Sequence, residues 1–116
     1  MRQSQIGLRL IAFALVAVVA AVLAGSALAG APVTVKMSEF KFALSTKTAH
    51  AGSVTFAVTN AGKLPHNFKI AGKTTALIKP GGTAKLTVTM KTGSYPYMCT
   101  VAGHAAAGMK GAFTVK

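Results

Sequence analysis

This 116-residue chain holds one cysteine, one acidic residue and no arginine beyond residue 9. A lone Cys99 cannot close an internal disulfide. A binuclear metal centre bridged by thiolates would need a second cysteine, and lipid anchoring would need one near the N-terminus. Glu39 is the only carboxylate side chain, so the paired carboxylates of general acid–base catalysis are excluded. After residue 31 no segment repeats its apolar residues at a helical period, which leaves strands as the building material.

The N-terminus reads differently from the rest. Arg2 and Arg9 precede a continuous apolar run over 10–24, and Gly25-Ser26-Ala27-Leu28-Ala29 follows, ending in a small-x-small triplet. Basic, apolar and small-residue regions in that order predict a secretory signal peptide over 1–29, cleaved after Ala29. The alternative is an uncleaved membrane anchor. A span needs about 20 apolar residues, and 8–28 nearly supplies them if Arg9 snorkels to the interface. The expected location is therefore periplasmic or otherwise exported, or, if anchored, the periplasmic face of a membrane. Residues 31–116 are expected to form one small domain, of a size that commonly needs a disulfide or metal to staple it. With no disulfide available, a metal is the candidate.

The formal charge is +12, from Lys+Arg 13 against Asp+Glu 1. Nucleic acid is the reflex partner for such a balance. Export argues against it, as do lysines spaced singly, without a run and without arginine past the leader. Two readings stay open: a solvated basic surface, or steering towards an acidic protein or an anionic membrane surface.

Period-two alternation begins at Val33, Val35 and Met37 and continues through Phe40, Phe42 and Leu44. It returns in Val54, Phe56 and Val58, in Ala84, Leu86, Val88 and Met90, in Tyr95, Tyr97 and Cys99, and in Phe113 and Val115. Breaks fall at Ala51-Gly52, Asn60-Ala61-Gly62, Ala71-Gly72, Pro80-Gly81-Gly82 and Thr92-Gly93. About seven or eight short strands with turn signals between them predict an all-β, antiparallel Greek-key sandwich or barrel.

On that layout Cys99 ends the penultimate strand, His104 lies in the loop after it, and Met109 precedes the last strand. Each alone has an ordinary reading: a small buried hydrophobe, an exposed loop histidine, core filler such as Met37 and Met90. Together at regular spacing they form a soft ligand set. A trigonal His2Cys site with a weak axial Met is the blue-copper arrangement. The second histidine would be His66, in Leu64-Pro65-His66-Asn67-Phe68, at the start of a strand that must pass beside the last two. Zinc competes for any His/Cys site, but a thioether suits Cu(I), so Met109 favours copper. His50, beside Ala51-Gly52, has no such company and reads as an exposed turn residue. Met98 is expected on the face opposite Cys99.

These residues resemble the cupredoxin family of small type 1 blue copper proteins, across approximately residues 31–116. The Cys-x4-His-x4-Met loop is similar to that of its auracyanin-like members and longer between Cys and His than in plastocyanin-like ones. Cys99-Thr100-Val101-Ala102-Gly103-His104 is close to a Cys-Thr-x-Pro-Gly-His form, with Ala102 in place of proline. The resemblance implies one copper ion held by His66 and His104 through imidazole nitrogen, by Cys99 through thiolate and by Met109 axially. It also implies that Asn67 ties the two ligand-bearing segments together.

The expected function is an exported mononuclear electron carrier shuttling single electrons between redox proteins, monomeric and not an enzyme. Leu64, Pro65, Ala102, Ala105, Ala106 and Ala107 around His104 form the expected docking and electron-exit face. The alternatives are a copper-binding module for delivery or tolerance, and a metal-free β-sandwich for adhesion or assembly.

Overall fold

Apolar alternation becomes pleat: in β1 (Val33–Ser38) Val33, Val35 and Met37 are buried while Thr34 and Lys36 face solvent. The same happens in β4 (Gly52–Asn60), where Val54, Phe56 and Val58 turn inward. The computed structural model describes residues 30–116; the expected signal peptide or anchor over 1–29 lies outside the described residues. The remaining strands are β2 (Lys41–Leu44), β3 (Thr48–Ala49), β5 (Lys69–Ile70), β6 (Lys73–Thr74), β7 (Thr83–Met90), β8 (Gly93–Met98) and β9 (Lys110–Val115). They form a four-stranded sheet, β2-β1-β4-β7, and a five-stranded sheet, β3-β9-β8-β5-β6. No helix occurs among the described residues, and the all-β sandwich is the fold class that the alternation predicts.

The buried faces meet in one core. Phe56 packs on Phe68 and Phe113 with ring centroids 5.2 and 5.3 Å apart, edge-on or tilted as aromatic quadrupoles prefer. Met37, Met90 and Val35 are buried beside them.

Three details depart from the alternation. The described residues form nine strands, because β3, β5 and β6 have two residues each and are too short to leave a period. Two pairs are parallel, β1 with β4 and β3 with β9. The chain leaves the first sheet after β2, pairs in the second as β3 and returns as β4, and a strand arriving by crossover is not held to the antiparallel sense of a hairpin. Finally, Phe40 does not join a strand face. Ser38 pairs with Lys41, so Glu39 and Phe40 are the two central residues of a tight hairpin turn, Phe40 at φ 60°.

The connections that matter most lie between β4 and β5 and between β8 and β9. β5 pairs with β8 in the register Lys69↔Met98 and Ile70↔Tyr97, which brings the segment before Lys69 alongside the residues after Met98. His66 itself forms an isolated bridge with Ile78 rather than opening a strand; the strand starts at Lys69.

Candidate metal centre

The β8–β9 ladder continues one step past the strands: Cys99 N donates to Met109 O at 3.1 Å, closing the base of the connecting loop. Within the loop His104 N donates to Val101 O at 3.0 Å and Ala107 N to Gly103 O at 3.1 Å, winding it into a compact coil. Met109 N then donates to His104 O at 3.0 Å. Gly103 and Gly108 sit at φ 82° and 116°, where a side chain would be strained. The result folds His104 back over Cys99. Met98 is 37% exposed and Cys99 fully buried, so the pleat separates them as expected.

His66 comes from the other connection. Its backbone exchanges hydrogen bonds with Ile78, N to O at 3.1 Å and O from N at 2.8 Å. Buried Asn60 holds the preceding turn: its Nδ2 donates to Leu64 O and Ile78 O, both at 2.8 Å, and its Oδ1 accepts from Gly62 N at 2.9 Å. Asn67 joins the two connections directly. Its Nδ2 donates to Thr100 Oγ1 at 2.6 Å and its Oδ1 accepts from Thr100 N at 2.7 Å.

The side chains converge. His66 Nδ1 and His104 Nδ1 are 3.1 Å apart, and Cys99 Sγ lies 3.6 Å from His104 Nδ1 and 4.0 Å from His66 Nδ1. The point equidistant from the corners of that triangle is about 2.1 Å from each, within the roughly 2.0–2.3 Å of metal–imidazole and metal–thiolate bonds. Two imidazole lone pairs and a sulfur aimed at one point repel one another unless a proton or a cation lies between them, so the donor set fits a soft, small cation. Among the described residues this is the group of histidine, cysteine or acidic side chains arranged to hold a metal ion. His66 and Cys99 are fully buried and His104 is 9% exposed. Met109, also fully buried, is fixed through its backbone to both Cys99 and His104. His50 is exposed and stands apart from the cluster.

The sequence also matches the cupredoxin-like domain over residues 10–115. The chain belongs to the cupredoxin-like family. The fold of this cupredoxin is similar to that of reduced auracyanin from Roseiflexus castenholzii, with a TM-score of 0.64 and 24% identity, covering 75% of this chain and 99% of that one. Auracyanin B is similar at a TM-score of 0.65 and 22% identity, covering 77% and 93% of the two chains. No curated protein matches significantly.

Two residues of this cupredoxin beside the cluster escaped the sequence reading. Glu39 Oε1 accepts hydrogen bonds from the backbone N–H groups of Lys63 and of Leu64, the latter at 2.8 Å, and stands 3.5 Å from His66 Nε2. Those bonds, Leu64's first and then Lys63's, hold its carboxyl below the usual carboxylate range. Phe40, the next residue, sets its ring edge-on to His104 at 5.3 Å and 90°. Neither sits in a motif, and the turn that carries them lacks the glycine or asparagine that would have marked it. Of the residues expected to form the docking face, Leu64, Pro65, Ala102, Ala106 and Ala107 are exposed and Ala105 is half-buried.

Proposed function

We propose that this cupredoxin is an exported mononuclear copper protein that carries single electrons between redox proteins, with His66, Cys99, His104 and Met109 holding the ion. The convergence of His66 Nδ1, His104 Nδ1 and Cys99 Sγ on one point carries the reading. Copper, when bound, supplies a one-electron couple that thiolate and thioether bias towards Cu(I) and imidazoles towards Cu(II). The chain supplies rigidity. Cys99, His104 and Met109 are tied by loop backbone bonds, and His66 is tied by Ile78, Asn60 and the Asn67–Thr100 pair. Donors that cannot move between the two oxidation states leave little rearrangement to slow transfer. Burial excludes water, and the half-buried and exposed alanines beside His104 leave its ring edge as the point nearest a docked partner. Residues 1–29 would act as the export signal, with an anchor as the alternative, and residues 31–116, one compact unit, as the working domain.

The test is the visible spectrum after one equivalent of Cu(II), with Cys99→Ser alongside. The expected result is an intense thiolate-to-copper band that the mutant lacks and that ascorbate bleaches reversibly. Stoichiometric binding without that band would move the reading to copper delivery, and no binding would move it to a metal-free module.

A further inference from the structure

Both proposed histidine ligands touch the same two-residue turn. Glu39 and Phe40 join β1 to β2; the first faces His66 and the second faces His104. Phe40 occupies the left-handed region at φ 60°, a conformation that an aromatic residue holds only where its surroundings impose it. Glu39, the sole acid of the chain, does not pair with a lysine. Its carboxylate is seated by the Lys63 and Leu64 amides and presented to His66 Nε2. That nitrogen is fully buried and, among the described residues, has no hydrogen-bond partner, so the carboxylate at 3.5 Å is the group placed to attract a proton carried there.

We propose that Glu39 is a positioning residue: its carboxylate keeps the proton of His66 on Nε2, so that Nδ1 always presents a lone pair to the copper-binding point. This deepens the copper reading and rests on it. A neutral imidazole has one N–H, and which nitrogen carries it is set by the partner of the other. In the metal-free protein the 3.1 Å separation of the two Nδ1 atoms then requires His104 to supply the shared proton. His104 Nδ1–H donates and His66 Nδ1 accepts. With copper in place the same carboxylate, a negative charge beside a ligand, favours Cu(II) over Cu(I).

The experiment uses Glu39→Gln, whose amide oxygen retains an acceptor for the Lys63 and Leu64 amides but offers His66 Nε2 only a weaker, uncharged acceptor in place of the carboxylate. A second variant is Gly62→Ala: a methyl there would press on the Glu39 carboxylate and move it from its seat without altering its charge. Two readouts are taken. The first is the His66 tautomer of the metal-free protein, by long-range nitrogen–proton NMR at a pH where both rings are neutral. The second is the reduction potential of the copper-loaded protein. In the wild type a single His66 tautomer with the proton on Nε2 is expected. In both variants a mixture of tautomers and a higher potential are expected. Should Glu39→Gln leave tautomer and potential where they were, the proposal is overturned, even if the melting temperature falls, and Glu39 merely caps the 62–64 turn. If Glu39→Gln does not fold, Gly62→Ala decides by the same two readouts. Failure of the wild type to bind copper would sink the copper reading, whereas the tautomer of the metal-free protein would still decide the role of Glu39.

Discussion

Asn60 carries no charge and contacts no donor atom of the cluster, yet three backbone groups depend on it: Leu64 O, Ile78 O and Gly62 N. It is fully buried, so truncation strands those groups away from water. Asn60→Ala is expected to lower unfolding free energy by about 1–3 kcal/mol, measured by denaturant titration of the metal-free protein, and to loosen the segment that delivers His66. Asn67→Ala breaks the two bonds to Thr100 and acts on metal rather than on the core. A loss of about 10–100-fold in copper affinity is expected, the usual weight of groups that orient ligands, read by competition with a chelator. Single residues differed in how plainly the sequence announced them. Cys99, His104 and Met109 advertise themselves because their chemistry and spacing lie within one loop. Asn60 and Glu39 do not, because each matters only through partners that folding brings to it; Glu39 meets Leu64 across 25 positions of sequence.

At the scale of the element, the β8–β9 hairpin sets the geometry, since its register carries Cys99 to Met109. Tyr97 is buried beneath it, edge-on to Phe42 at 5.5 Å and tilted on Phe68 at 5.7 Å. Gly111 lies opposite Tyr97 in the ladder, and a methyl added there would overlap the Tyr97 ring and hydroxyl. Gly111→Ala is therefore expected to destabilise by about 1–3 kcal/mol, the range for overpacking a filled core. The same change should broaden or shift the absorption of the copper-loaded protein as Cys99 moves. Long strands were legible because period-two burial writes itself into composition. The Glu39–Phe40 turn was hidden, because two-residue hairpin turns usually announce themselves with Asn-Gly or a similar pair, and here an apolar residue continued the alternation through the bend. The parallel pairing of β1 with β4 left no trace either, since a residue alternates identically whichever way its neighbour runs.

Across the whole molecule, every lysine is exposed, and they lie on both sheets: Lys36, Lys41 and Lys85 on the first, Lys69, Lys73 and Lys110 on the second. The positive charge surrounds the domain instead of marking one side. Oxidation of the copper-loaded, reduced protein by hexacyanoferrate should accordingly slow as salt is added, over the range in which the Debye length shrinks towards about 10 Å. No single Lys→Ala should reproduce that effect. Copper should also serve as the staple that the missing disulfide does not provide. At free ion a thousandfold above Kd, stabilisation of about 4 kcal/mol is expected, seen as a rise in melting temperature that Cys99→Ser abolishes. One feature of the cluster reaches beyond stability. His66, Cys99 and Met109 are sealed and only His104 grazes the surface, so in the proposed electron carrier both partners would make their closest approach at one doorway. A donor that has delivered its electron would then have to step away before an acceptor docks there. On that proposal turnover between two partners is sequential, and an excess of either should crowd out the other and slow the relay, a self-inhibition that a carrier with separate entrances would escape.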